Sequence, residues 1–216
     1  MLEKPTLPDE RIFAMLRDSY GLRAASVEFL PLGADYNTAV YRVVGTALYF
    51  LKLRSGVFDE NSLVIPALLR ELGIREIIPV LKTVAGQLWA NLDAYTCILY
   101  PFIAGRNGFD APLSDAQWAR FGAALKAVHG VALPEHIRQR VPREDWSALW
   151  RETVRGFQAQ AETQAFADAL ASKMAAFLRA HRAEIDFLVA RAEQLAAVLQ
   201  ARPLEFVLCH YDIHAG

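Results

Sequence analysis

The chain ends with the stretch Leu204-Glu-Phe-Val-Leu-Cys-His210-Tyr-Asp212-Ile-His214-Ala-Gly216. Its apolar part, Phe206 to Cys209, is rich in strand-forming residues and leads directly into a His-x-Asp sequence. A strand that is fixed in a core and ends at a loop carboxylate holds that carboxylate at the edge of a cleft, which suits a catalytic base. Asp212 is therefore the predicted catalytic residue.

The composition is that of a folded protein that does not bind nucleic acid. Apolar residues make up 54% of the 216 residues, and the formal net charge of −1 offers no basic surface to the phosphates of a nucleic acid. No apolar stretch is long enough to span a bilayer or to form the core of a signal peptide. Cys97 and Cys209 lie in apolar runs without metal-ligand spacing. We therefore expect buried free thiols in a cytoplasmic protein.

The first hundred residues predict a small antiparallel β-sheet with two helices. A helix is expected to begin at Pro8 and to end before Gly21, and a second is expected over residues 58–72, with Pro66 as a kink or a first turn. Strand-forming runs lie at residues 27–30, 39–44, 47–53, 77–81, 83–89 and 95–100. The connections between the first three runs are short, which favours an antiparallel meander.

Beyond Gly105 the pattern becomes helical. Ser114-Asp-Ala-Gln has the form of a capping box and opens a helix that runs to His129. Further helices are expected at residues 145–158, 162–181 and 183–201. The sequence thus predicts an α+β protein with a β-rich lobe over residues 1–100, a hinge over 101–105 and a helical lobe over 106–216.

Lys52 lies between Leu51 and Leu53 in the third predicted strand. Alternation places it on the opposite face of the sheet, where it either extends into solvent or faces a cleft. In a cleft, its ammonium would be a point charge for phosphate oxygens if a carboxylate held it in place. Glu60 is the predicted partner because of its longer side chain, although an acid at a helix start is equally explained by the helix dipole.

Two connections could contribute backbone groups to a ligand site. The turn from Gly33 to Asn37 has the small residues that let N–H groups approach phosphates, although a glycine in a hairpin is most often simply part of a turn. The connector that starts at Pro101 keeps the proline carbonyl without its N–H, so it can present an acceptor and a donor to a planar base. Alternatively, it is only a linker between lobes.

In this order the motifs resemble the protein-kinase-like fold and, more closely, the aminoglycoside phosphotransferase family. The resemblance is carried by Gly33-x-x-x-Asn37-x-x-Val40-Tyr-Arg-Val, Phe50-Leu-Lys52-Leu-Arg, Leu99-Tyr-Pro-Phe-Ile-Ala-Gly105, Leu125-x-x-Val-His129 and Cys209-His-Tyr-Asp212-Ile-His-Ala-Gly216. Tyr211 and the surroundings of Lys52 are most similar to the spectinomycin phosphotransferase branch. The resemblance implies a bilobal fold, with a small antiparallel β lobe and a mainly helical large lobe that is incomplete after the catalytic loop.

The resemblance also implies ATP-dependent phosphorylation of a small-molecule hydroxyl group. On that basis Asp212 accepts or orients the proton of the substrate hydroxyl, and Lys52, braced by Glu60, holds the α- and β-phosphates. The turn containing Gly33 and Asn37 would cover the phosphates.

The resemblance places adenine at the hinge. The carbonyl of Pro101 and the N–H of Ile103 would hold the base, with Tyr100 behind it. His210 would support the catalytic loop by packing and hydrogen bonding rather than by transferring protons.

Magnesium is the second implied cofactor, and its ligands are expected beyond Gly216. The family's loop continues to an Asn that binds Mg²⁺, and a later Asp completes the site, so the 216 residues are expected to be nearly inactive alone. Two other interpretations stay open: a non-catalytic nucleotide-binding or interaction module, and a kinase of another small alcohol such as a choline- or homoserine-like compound. Acidic residues at 144, 145 and 152 would suit a cationic substrate, or are simply the solvated start of a helix.

Overall fold

The computed structural model describes residues 3–33, 35–106, 108–210 and 212–213. The elements in chain order are α1 (Asp9–Tyr20), β1 (Ser26–Leu30), β2 (Thr38–Val44), β3 (Leu48–Ser55), α2 (Asn61–Glu71), β4 (Ala90–Leu92), β5 (Tyr95–Pro101), α3 (Asp115–His129), α4 (Glu135–Arg138), α5 (Leu149–Thr163), α6 (Ala169–Ala180) and α7 (Arg182–Gln200). The strands form one five-stranded sheet in the order β1-β2-β3-β5-β4, and every pair is antiparallel. The predicted α+β class is confirmed.

The chain divides into two compact units. The first contains Met1–Val141 together with Val207–Gly216, and the second contains Pro142–Phe206. In the second unit, α5 contacts both α6 and α7. The lobes predicted at residues 1–100 and 106–216 rest on a different criterion, the order of strands and helices, and they stay a prediction.

The core of the first unit lies between α1 and one face of the sheet. Ile12 and Leu16, one helical turn apart, are fully buried against the inward side chains of the sheet. Those side chains come from alternate positions of three strands, namely Ala39, Tyr41, Val43, Leu51, Leu53, Cys97 and Leu99. Burying a leucine stabilises the fold by about 1.5–3 kcal/mol, so this layer fixes the register of β3 between β2 and β5. The helix ends at Gly21 with a φ of 65°, the left-handed cap expected of that glycine.

Tyr41 is fully buried, and its hydroxyl finds no hydrogen-bond partner among the described residues. An unpaired buried hydroxyl destabilises a fold, so Tyr41→Phe should raise the free energy of unfolding by about 1 kcal/mol. Chemical denaturation measures the change. Tyr20→Phe is the matched control: its hydroxyl donates to the Cys97 carbonyl at 2.9 Å, and its loss should lower stability by a similar amount. A destabilised Tyr41→Phe protein would contradict this interpretation of the core.

The strands predicted at residues 77–81 and 83–89 are wrong. In the described chain this region has one isolated bridge, from Leu81 to Leu99, and then the short strand β4. Pro79 lacks the N–H that a ladder needs, and residues 83–87 close on themselves, with the Thr83 N–H donating to the Gln87 carbonyl at 2.8 Å. The sequence there is as hydrophobic as a strand, but several of its backbone N–H groups form hydrogen bonds within the segment instead of with a neighbouring strand.

The helical predictions differ mainly at their ends. Ser114 and Gln117 form the predicted capping box at the start of α3. The helix predicted over residues 162–181 begins later, because the Asp168 side chain accepts the Ala171 N–H at 2.8 Å and caps α6. Among the helices of the described residues, none combines the length and the hydrophobicity needed to cross a membrane.

Both cysteines are free thiols, but only one has the expected surroundings. Cys97 is buried in β5, and burial raises the pKa of its thiol to about 12. Cys209 is exposed, which corrects the expectation that both are buried. Hydrophobic neighbours in sequence did not lead to burial there because the run around Cys209 joins no strand pairing in the described chain.

Candidate functional site

Lys52 lies at the centre of the sheet, on the face opposite the α1 core. Its direct neighbours across the strands are Val40 on β2 and Ile98 on β5. Directly paired residues share a face, and these two are only 7% and 2% exposed, so the lysine stem rests between buried side chains. Burial lowers the pKa of Lys52, and the nearby Arg54 lowers it further, while Asp35 opposes both effects. A half-buried ammonium of this kind favours an anionic partner.

Asp35 is a carboxylate next to Lys52 that the sequence patterns did not single out. Its Oδ1 accepts the Asn37 backbone N–H at 2.9 Å, and its Oδ2 accepts the Thr38 hydroxyl at 2.8 Å. Arg54 Nη1 lies 3.9 Å from the same Oδ2. The hydrogen bond from the Asn37 N–H is the largest cause that lowers the pKa of Asp35, followed by Thr38. The Arg54 position was available from the sequence, because it follows Lys52 by two residues and shares its face.

The predicted turn from Gly33 to Asn37 lies beside these side chains. Gly33 has a φ of 90°, a conformation that favours glycine. The Asn37 carbonyl accepts the Ser55 N–H at 2.9 Å, which attaches the turn to the end of β3 next to Arg54. The structure therefore brings Asn37 to the end of the strand that carries Lys52. The phosphate-covering role of Gly33 and Asn37 stays a prediction.

Glu60 has a different partner from the one expected. Its carboxylate pairs with Arg140 at 3.1 Å, in an ion pair whose side chains are about half exposed. It lies just before α2, where Asp59 Oδ1 accepts the Asn61 N–H at 2.9 Å. The carboxylate that acts on the pKa of Lys52 is Asp35. Bracing by Glu60 stays a prediction.

The hinge residues continue the Lys52 face toward the end of β5. Tyr100 pairs directly with Phe50, their ring centroids are 6.5 Å apart, and burial raises the pKa of the Tyr100 hydroxyl. Pro101 is the last residue of β5, and the Phe102 N–H donates to the Leu48 carbonyl at 3.0 Å. Because a trans peptide is planar, the Pro101 carbonyl points away from Leu48.

That carbonyl is therefore an acceptor at the end of the strand, on the side away from β3. Ile103, two residues after Pro101, is 62% exposed. Arg42 also contributes to this end of the sheet, with its guanidinium 5.5 Å from the centre of the Phe102 ring.

Asp212 is positioned by a separate group of contacts in the same unit. The strand predicted at Phe206–Cys209 is wrong, because residues 203–210 pair with no strand of the described chain. An extended apolar run becomes a strand only when its backbone groups pair with a neighbour. The segment is held instead by Leu208, which packs against a cluster formed by Leu69, Ile74 and Val128.

The loop after Leu208 has a local hydrogen bond as well. The Asp212 N–H donates to His210 Nδ1 at 3.3 Å. The supporting role expected of His210 stays a prediction. Asp212 itself is exposed. Tyr211 and His214, which also belong to the predicted loop, lie outside the described residues.

A metal site was implied by the resemblance. Within the described ranges, no group of three or more His, Cys, Asp or Glu side chains is placed to hold a metal ion. The Mg²⁺ ligands expected beyond Gly216 stay a prediction.

The comparison with known proteins settles the family. The phosphotransferase enzyme family APH matches residues 28–216. The chain belongs to this family. Members with solved structures include the spectinomycin phosphotransferase APH(9)-Ia in complex with ADP and spectinomycin, which is 35% identical over 99% of this chain with a TM-score of 0.88. Its AMP-bound complex is 33% identical over 96% of this chain, covers 64% of its own length and has a TM-score of 0.84.

These relatives confirm the predicted resemblance to the spectinomycin phosphotransferase branch and the kinase-like α+β fold. An aminoglycoside phosphotransferase from Alicyclobacillus acidocaldarius subsp. acidocaldarius DSM 446 shares the fold, with 17% identity over 93% of this chain and 55% of its own, and a TM-score of 0.54. The chain spans 65% of the length of the ADP- and spectinomycin-bound APH(9)-Ia chain. No curated protein sequence gave a significant match.

Proposed function

We propose that these residues carry the nucleotide site and the catalytic base of an ATP-dependent phosphotransferase that acts on a hydroxyl group of a spectinomycin- or aminoglycoside-like molecule. The observation that carries the proposal is the half-buried Lys52 between Val40 and Ile98. It is supported by the 35% identity to an enzyme crystallised with ADP and spectinomycin.

The nucleotide would bind along the Lys52 face of the sheet. Lys52 attracts the α- and β-phosphates, since its ammonium is desolvated and strongly favours an anion. The turn of Gly33 and Asn37 covers the phosphates. Glu60 is the proposed brace of Lys52 in the nucleotide-bound state, in which it would exchange Arg140 for Lys52.

The adenine base would lie at the end of β5. The Pro101 carbonyl accepts from the amino group of the base, and the Ile103 N–H donates to a ring nitrogen. Tyr100 forms the back of the pocket beside Phe50. In this arrangement the base lies beside Tyr100 and Phe50, and the phosphates lie beside Lys52, two residues further along β3. The order of these side chains along the sheet therefore matches the order of base and phosphates in the nucleotide.

Asp212 would orient the substrate hydroxyl and accept its proton as the hydroxyl oxygen bonds to the γ-phosphorus and the bond from that phosphorus to the β-phosphate oxygen breaks, releasing ADP. The contact between Leu208 and the cluster of α2 and α3 holds the loop in place. Because the chain spans 65% of the related enzyme, we propose nucleotide binding with little or no turnover for the 216 residues alone. We place the lobe boundary at the 101–105 hinge.

Isothermal titration of ADP and ATP into the 216-residue chain, with and without Mg²⁺, tests the nucleotide site. Transfer of ³²P from ATP to spectinomycin by the complete gene product tests the activity. Binding together with transfer supports the proposal, whereas transfer that does not require a hydroxyl acceptor contradicts it.

A second candidate is a nucleotide-binding module without catalysis. It needs only the half-buried Lys52 and its neighbours on the sheet, and it gives Asp212 no catalytic role. Nucleotide binding that is independent of Mg²⁺, with no transfer by the complete gene product, would support this alternative. Absence of any nucleotide binding would exclude both functions.

A further inference from the structure

We propose that the phosphate site on this sheet includes the Asn37 N–H, the Thr38 hydroxyl and Arg54 beside Lys52, and that the Asp35 carboxylate occupies it when no nucleotide is bound. Asp35 would then compete with the nucleotide phosphates for the same donors. The assignment rests on the proposed nucleotide function and adds three donors and a competing anion to it.

The geometry around Asp35 is that of a bound anion. One oxygen accepts a backbone N–H at 2.9 Å, and the other accepts the Thr38 hydroxyl at 2.8 Å. Arg54 lies 3.9 Å from the second oxygen, and Lys52 is close enough to act on the carboxylate electrostatically. A backbone amide, a hydroxyl and two cations are the groups that bind a phosphate in proteins.

Arg54 is incompletely satisfied by this carboxylate. The 3.9 Å separation from Asp35 is longer than a hydrogen bond. Its Nε is buried and has no acceptor among the described residues. Buried donors are almost always paired, so this one points to a ligand with more acceptor oxygens than a carboxylate. A phosphate has three oxygens available and can accept from a guanidinium at two positions.

The sheet keeps the donors in place independently of Asp35. Thr38 on β2 pairs directly with Arg54 on β3, and Lys52 lies two residues before Arg54 on the same face of the sheet. The Asn37 carbonyl is attached to β3 through the Ser55 N–H. Asp35 precedes these anchors and its side chain is 44% exposed. Its carboxylate can therefore rotate away about χ1 while the ladder stays intact, leaving the donors to a phosphate.

Asp35→Asn tests the competition, with pyrophosphate as the first probe and ADP as the second. The asparagine keeps an oxygen for the Asn37 N–H but removes the negative charge, so both probes should bind about fivefold more tightly. The gain should be larger in low salt, since the lost repulsion is screened. Arg54→Gln should weaken binding of both probes by about fivefold or more.

The matched control is Asp59→Asn. Asp59 accepts the Asn61 N–H at 2.9 Å in the same local geometry, and its substitution should leave the affinity for both probes unchanged. Asp35→Ser is the second variant, because its hydroxyl retains an acceptor without the charge. Circular dichroism verifies that each variant is folded.

The outcomes separate this inference from the proposed function. If Asp35→Asn binds pyrophosphate more tightly and no variant binds ADP, the result supports the anion site and contradicts the proposed nucleotide function. If the wild type binds ADP but both Asp35 variants bind pyrophosphate and ADP equally or more weakly, competition is excluded and the nucleotide function is unaffected. If Arg54→Gln leaves the affinity unchanged, Arg54 is not part of the site.

Discussion

We expect Asp212→Asn to lower the rate of phosphate transfer by the complete gene product about 10³-fold, within the range that a general base contributes. The amide cannot accept the proton of the substrate hydroxyl, while its size and its place after His210 are kept. The affinity for ADP should stay within about twofold of wild type, because the proposed nucleotide contacts lie on the sheet. Transfer kinetics and isothermal titration measure the two effects separately.

Asp115→Asn is the control for the loss of an acidic side chain. Asp115 is an exposed residue in the first turn of α3, and its substitution should leave transfer unchanged. Retention of full transfer by Asp212→Asn would remove Asp212 from the mechanism. An equal loss of ADP affinity would show instead that the loop had been disturbed.

We expect Lys52→Met to weaken ADP binding about 30-fold, which corresponds to roughly 2 kcal/mol for the loss of a charge-assisted contact with phosphate. Methionine keeps the apolar stem between Val40 and Ile98, so the sheet should remain folded. Because burial lowers the pKa of Lys52, wild-type affinity should also begin to fall at a lower alkaline pH than for an ordinary lysine. The ammonium is lost as the pH rises through that lowered pKa.

Lys82→Met is the matched control for this substitution. Lys82 lies 3.7 Å from Glu71, and its side chain is 56% exposed. Removing an exposed ion pair changes little, so ADP affinity should be unaffected. If Lys52→Met binds ADP as tightly as Lys82→Met does, the nucleotide phosphates do not contact Lys52.

The sequence predicted the structure best where hydrophobic residues alternate strictly or where a side chain has a specific capping role. Leu51, Lys52 and Leu53 predicted both faces of β3, because only alternation explains a lysine between two core residues. Ser114 and Gln117 predicted the start of α3 through their side-chain chemistry. The strand predicted at Phe206–Cys209 is absent from the described chain, because hydrophobicity predicts burial but hydrogen bonding to a neighbouring strand decides whether a strand forms.

Side-chain partners were harder to predict than faces of elements. The long side chain of Glu60 predicts a partner across a helix–strand gap, but in the folded chain Glu60 pairs with Arg140, 80 residues away. Asp35 lies only two residues from Asn37, but the turn pattern points to its glycine and its backbone rather than to this carboxylate. The short distance between Asp35 and Thr38 depends on the conformation of the turn, which spacing alone does not specify.

The order of the sheet bears on how the protein folds during synthesis. β3 receives its second neighbour from β5, which follows it only after α2 and the loop before β4. Until about residue 101 has left the ribosome, β3 is an unpaired edge with Lys52 at its centre, and such edges invite association with other chains. Closing the intervening loop adds an entropic barrier to this step. The strand that carries the proposed phosphate contact is therefore covered on both edges only after the last strand of the sheet has emerged, and a pause in translation before β5 would extend its exposure.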